Sequence, residues 1–171
     1  MSKQTSKRLF QADDGSSTIL RAWWEGLERD RGGRATLKRA SSPTEAVFCP
    51  AYHRLLSELQ NNGYSPKREA LASVAGLAAH VKFDTGLDKS LAQQFANPKP
   101  GGNGAKVSGL RFRRILAITE RNELYPLLIR VIHLLDQKVN LLSLANAVYW
   151  WNEKTLKDLA YDYYATAPDE K

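Results

Sequence analysis

The chain has 171 residues, and 25 lysines and arginines against 18 aspartates and glutamates leave it at a formal net charge of +7, which points to an anionic partner such as nucleic acid and leaves the fold open. Its single cysteine, Cys49, excludes an internal disulfide and a cysteine-rich zinc site. His53, His80 and His133 lie too far apart for paired metal ligation, so no metal and no other cofactor is expected. No run approaches the roughly 18 apolar residues of a membrane span and the N-terminus lacks an apolar signal core, so no membrane partner is expected and the cytoplasm is the expected location.

Residues 1–17 are polar and without sustained periodicity, and they read as a mobile leader. Leu20, Trp23, Trp24 and Leu27 then recur at helical spacing behind Ser17 or Thr18 as a cap, with the tryptophans as core anchors. Gly32 and Gly33 break that periodicity. Between positions 21 and 39, six positive residues stand against Glu25, Glu28 and Asp30, leaving the segment at +3. Ser42-Pro43-Thr44-Glu45 has the form of a capping box, and Phe48, Ala51, Tyr52, Leu55, Leu56 and Leu59 follow as an apolar stripe in which Pro50 restarts the helix. Asn61-Asn62-Gly63 ends it. Ser65-Pro66 reads as the next start, and the inward face Leu71, Val74, Ala75, Ala78 with Gly76 implies close helix approach. His80 reads as a partly exposed histidine in the last turn of that helix, and a short helix around Leu87, Leu91 and Phe95 follows.

Residues 97–109, NPKPGGNGAKVSG, hold two prolines and four glycines; the phosphate-loop spacing G-x-x-x-x-G-K-[ST] is absent. Residues 98–109 therefore read as a flexible linker, bearing Lys99 and Lys106, between a helical lobe at 18–97 and a second at 110–166, with a tail at 167–171. The expected fold class is all-α, two small helical bundles joined by this loop. The centre of the chain is residues 106–136, a helical hairpin. At about 100° per residue, Phe112, Ile115, Leu116 and Thr119 gather on one side of its leading helix, Arg114 and Arg121 lie away from them, and Arg111 and Arg113 sit near the margins. Arginine suits phosphate because its planar fork donates two hydrogen bonds and is weakly hydrated. Leu124, Leu127, Leu128, Val131, Leu134 and Leu135 make the returning helix apolar along one side. Asn140 opens another helix, Asn152 interrupts it, and Tyr149-Trp150-Trp151 is expected to pack between the last two helices in preference to stacking bases.

Arg21-Ala22-Trp23, Leu37-Lys38-Arg39, Pro50-Ala51-Tyr52-His53-Arg54-Leu55, Ser90-Leu91 with Ala96, the arginine-rich helix from Arg111, and Tyr149-Trp150-Trp151 occur in an order and at spacings that resemble the CasB family, small subunits of the type I-E CRISPR Cascade complex. The resemblance covers residues 18–166. It implies a non-catalytic, two-lobed helical protein that touches CRISPR RNA, target DNA with its displaced strand, the backbone and large subunits of the complex, and a second copy of itself. The residues it implies for nucleic acid are Arg21, Lys38, Arg39 and Arg54 in the first lobe and Arg111, Arg113, Arg114 and Arg121 in the second, to which the loop adds Lys106. Ala117 and Ile118 depart from members that carry arginines there, and the glycine-rich loop is longer than in shorter members.

Two other classes fit the residues. A helix-turn-helix regulator would prefer a defined duplex site, although the segment after Glu120 runs into a long apolar helix instead of a free recognition helix. A structural adaptor would turn the same arginines to acidic proteins. An enzyme fits least, since no nucleophile is accompanied by a base and the paired acids Asp13-Asp14 and Asp169-Glu170 fall in the expected tails.

Overall fold

The computed structural model describes residues 8–11 and 14–168, and among them ten α-helices and two very short strands. The first helix, α1 (Gly15–Gly26), is capped by the Asp14 carboxylate, which accepts from the Ser16 and Ser17 N–H groups and so starts the helix earlier than the expected Ser17 or Thr18. The glycines that break the sequence periodicity lie inside α2 (Arg31–Arg39). Asp30 caps that helix, accepting from the Gly33 N–H at 3.0 Å, and a Cβ on Gly33 would fall 2.3 Å from a carboxylate oxygen. Glycine is what admits this cap.

Local signals set the next elements. Ser42 caps α3 (Pro43–Val47) by accepting from the Glu45 N–H, while the Glu45 carboxylate returns to the Ser41 N–H at 2.6 Å, one residue upstream of a standard box. Pro50 opens α4 (Pro50–Asn61), and Gly63 leaves it at φ +86. Next come α5 (Arg68–Ala78), which begins after Lys67 and not at Ser65-Pro66, and strand β1 (Phe83–Asp84). Ser90 and Gln93 form a reciprocal box at the start of α6 (Leu91–Ala96), leaving Leu87 outside it and exposed. The expected leading helix of the hairpin is α7 (Gly109–Leu116). It stops there, and α8 (Arg121–Leu134) starts afresh after Glu120, so Arg121 belongs to the returning helix. Strand β2 (Lys138–Val139) follows. Asn140 and Asn152 then cap α9 (Leu141–Tyr149) and α10 (Glu153–Thr166) through their side-chain oxygens.

The core is built around α5. Every residue from 70 to 78 is buried, because α3, α4, α8 and α9 all pack on this alanine-rich rod. On another side α6 packs against α10. Elements on both sides of the expected division at 98–109 share one apolar core, and β1 pairs in parallel with β2, Phe83 opposite Lys138 and Asp84 opposite Val139. Residues 98–109 themselves are tied down. Lys106 and Val107 donate backbone N–H groups to Asn97 and Phe95 carbonyls at 2.8 and 2.9 Å, and Ala105 and Val107 are buried.

The start of the described chain is anchored as well. Phe10 is fully buried, the Asn146 side chain donates to its carbonyl at 2.7 Å, and the Trp150 indole donates to the Leu9 carbonyl at 2.6 Å. This corrects the leader reading for residues 8–11, whose apolar pair Leu9 and Phe10 is too short to register as periodicity. For residues 1–7, 12 and 13 that reading lies outside the described residues, as does the tail reading for 169–171.

At Gly76 of α5 the side chain of Tyr125 from α8 lies against the helix backbone. A Cβ there would meet the Tyr125 hydroxyl at 2.1 Å and its ring at 2.9 Å, and that hydroxyl is buried without a hydrogen-bond partner. Burial pushes the Tyr125 phenol well above the usual tyrosine range. Gly76→Ala is expected to destabilise the fold by about 1–3 kcal/mol through overpacking. Tyr125→Phe alone is expected to raise stability by about 1 kcal/mol, since it removes an unpaired buried polar atom. Urea unfolding of the two variants and of the double variant checks both; the double variant should recover part of the Gly76→Ala loss.

Candidate nucleic-acid interface

Ser108 starts α7 by accepting from the Arg111 N–H at 3.2 Å. Phe112 and Ile115 then turn inward and are buried, while Arg111, Arg113 and Arg114 are exposed. Phe112 holds the helix by stacking on Tyr163 of α10 with ring centroids 3.9 Å apart, and by meeting Phe95 of α6 edge-on at 6.5 Å. Arg113 and Arg114 occupy the last turn, where the helix dipole favours cations. Among the described residues no hydrogen bond or ion pair engages the Arg111 or Arg114 side chain. Lys106, half-buried, precedes this helix by one short turn.

The fourth arginine expected on this face is elsewhere. Arg121 is half-buried at the first position of α8, and its guanidinium donates to the Val148 carbonyl at 2.9 Å and the Tyr149 carbonyl at 2.7 Å. It closes the C-terminal end of α9, whose last carbonyls have no partner within the helix. Burial pushes its pKa down. The chain turns between α7 and α8, and this separates it from the other three.

The remaining expected residues sit on other elements. Lys38, half-buried, and Arg39, exposed, end α2, which packs on α4 and α5 and not on the α6–α10 side where Phe112 seats α7. Arg54 of α4 is ion-paired to Asp30, the residue that caps α2. It stands on the rim of a groove of about 670 Å³ floored by Ile19, Ala22, Trp23 and Leu27. Arg21 lies 3.6 Å from the Asp84 carboxylate, whose other oxygen accepts from the Gly86 and Leu141 N–H groups. The expected set therefore divides into an exposed triad on α7 with Lys106 beside it, a pair at the end of α2, and three arginines engaged within the fold.

The aromatic run near the end of α9 is structural. Trp150 reaches the Leu9 carbonyl, Trp151 the Ile118 carbonyl at 2.8 Å, and the Tyr149 hydroxyl accepts the Lys67 N–H at 2.9 Å. These residues fasten α9 to the N-terminal segment, the α7–α8 turn and the start of α5, a wider span than the last two helices. Trp23 and Trp24 likewise donate to carbonyls of Ala51, Ala78 and Val81. His80 differs from its expected exposure. It is 5% exposed, with neither ring nitrogen hydrogen-bonded, and burial followed by the positive charge of His133, Lys38 and Arg34 pushes it down to about 4. Among the described residues no cluster of three or more histidines, cysteines or carboxylates could hold a metal, and no helix is long and apolar enough to cross a membrane.

Taken together, these features define an all-helical protein with a short basic helix seated on its surface by one buried aromatic. A family model described as CRISPR-associated protein Cse2 matches residues 33–164, and the chain belongs to that family, the one also called CasB. In fold it is similar to a chain of the crystal structure of E. coli Cascade bound to a PAM-containing double-stranded DNA target, with a TM-score of 0.66, 22% identity, and coverage of 91% of this chain and 97% of the other. No curated protein matches the chain.

Proposed function

We propose that this chain is the non-catalytic small subunit of a Cascade-type, RNA-guided surveillance complex in the cytoplasm, where it holds nucleic-acid backbone without reading bases. Membership of the Cse2 family supports the assignment to the complex, and the solved relative that it resembles in fold comes from a Cascade assembly bound to DNA. The observation that carries the nucleic-acid part is α7, which keeps Phe112 and Ile115 in the core and leaves Arg111, Arg113 and Arg114 exposed with Lys106 beside them. Such cations neutralise phosphates and release counterions, a sequence-independent contribution that weakens with salt. Opening a DNA duplex against a guide RNA is a nearly balanced exchange, so modest contacts to guide, target or displaced strand tip it. Partners on this reading are CRISPR RNA, target DNA, the backbone and large subunits, and a second copy of the chain.

Arg111→Ala with Arg114→Ala is the test. Binding of a single-stranded oligonucleotide should weaken, and the slope of log affinity against log salt should become shallower by roughly 0.7 for each lost contact, with unfolding unchanged. An unaltered slope in a folded variant would remove α7 from the interface. Arg54→Ala serves as the contrast: its charge is already matched by Asp30, so its slope should stay at the wild-type value.

A further inference from the structure

A second cationic locus surrounds His80 and has contributions from three elements. Arg34 of α2 donates to the Ala79 and Val81 carbonyls at 3.1 and 2.9 Å and so clamps α2 onto the end of α5 on either side of His80. Lys38 lies one helical turn further along α2, on the same face. From α8, the exposed ring of His133 meets the His80 ring edge-on, centroids 5.7 Å apart. Gln137 donates to the His80 carbonyl at 2.8 Å and closes the base of the cluster.

The charged groups that act most on His80 are thus all cations. Arg34 is spent on carbonyls, whereas Lys38 is half-buried and His133 exposed. Along α8 itself the neighbours of His133 are Arg130 one turn before and Asp136 just after the helix, both exposed; Lys82 and Lys138 are exposed beside the β1–β2 pairing. Crowding like charges at the meeting of α2, α5 and α8 is unfavourable unless an anion sits among them. The buried His80, with both nitrogens unpaired, is the polar floor of that meeting point.

We propose that Lys38 and His133 together hold one phosphate of the bound strand at this seam, and that the contact takes up a proton from solvent at His133. The proposal rests on the nucleic-acid reading above and adds to it a residue, a location and a pH dependence. The direction follows from linkage. Burial keeps His80 neutral, so the proton taken up on binding is assigned to the outer imidazole. A phosphate beside Lys38 stabilises the imidazolium there, so the strand binds more tightly as pH falls toward ~6.

Oligothymidine titrated into the full chain tests this. Wild-type affinity by fluorescence anisotropy should be up to about tenfold greater at pH ~6 than at pH ~8, within the range that one imidazole contact supplies. His133→Gln should flatten that dependence, His133→Lys should bind tightly at both pH values, and Lys38→Ala should weaken both. By nuclear magnetic resonance, the His133 ring should titrate at higher pH with oligothymidine present. The His53 ring, hydrogen-bonded to the Val47 carbonyl, serves as the control. Retention of the full pH dependence by His133→Gln, or an identical His133 titration with and without the oligonucleotide, overturns the proposal. Those results leave the α7 reading intact if Arg111→Ala with Arg114→Ala still lowers the salt slope, and absence of any oligothymidine binding overturns both.

Discussion

Phe112→Ala is expected to cost about 3–5 kcal/mol of stability, the range for truncating a fully buried aromatic. Phe112 has no exposed surface, stacks at 3.9 Å on Tyr163 with the planes 10° apart, and meets Phe95 and Tyr164 edge-on. Tyr163 is itself fixed, donating its hydroxyl proton to the Val107 carbonyl at 2.6 Å. The cavity would therefore sit in a rigid wall and collapse little. Only Gly109, Phe112 and Ile115 of α7 are buried, so the basic helix loses its main anchor in the same stroke. Urea unfolding should show the loss and the salt slope of strand binding should fall with it. Phe112→Leu should keep most of both. A loss under about 1 kcal/mol would mean that α7 is held by something other than this aromatic stack.

Arg121→Ala is expected to cost about 2–3 kcal/mol, because a charged donor is removed from two partly buried carbonyls. Its two bonds, to Val148 and Tyr149, need donors at two fixed directions, which the guanidinium fork supplies and an ammonium does not. Arg121→Lys should therefore rescue little. Thermal unfolding reads the effect, and the salt slope of oligonucleotide binding should stay at its wild-type value. Arg121 and Arg114 thus make opposite predictions although they share a residue type and a stretch of sequence: one variant loses stability and keeps its slope, the other keeps stability and loses slope. A shallower slope in a folded Arg121 variant would return that residue to the strand-binding surface.

The contrast shows which parts of the chain were legible in advance. Caps such as Asn140 and Ser42 depend on residues within three positions of one another, and each opened a helix where the side chain predicts one. The apolar stripe of α4, from Ala51 to Leu59, followed its 3.6-residue period for the same reason. Long-range partners leave no such trace. Arg121 reads as one more cation until a carbonyl 27 positions away meets it, and Arg54 until Asp30 does. Gly32 and Gly33 read as a break because glycine is a poor helix former; the Asp30 cap outweighs that propensity and requires a residue without a Cβ. His80 lies at the end of a helix, a position that is usually open to solvent, and here α2 and α8 both close over it.

The parallel pairing of Phe83 and Asp84 with Lys138 and Val139 also bears on how the chain folds as it is made. Lys82 and Thr85 extend the clasp by donating to the Gln137 and Val139 carbonyls, so it joins positions more than fifty residues apart. A ribosome must therefore deliver α6, α7 and α8 before the end of α5 can be secured, and a fragment ending before α8 would leave the alanine-rich rod bare along the sides that α8 and α9 cover. Synthesis of the first half alone yields a sticky intermediate, and the segment through α9 is what relieves it.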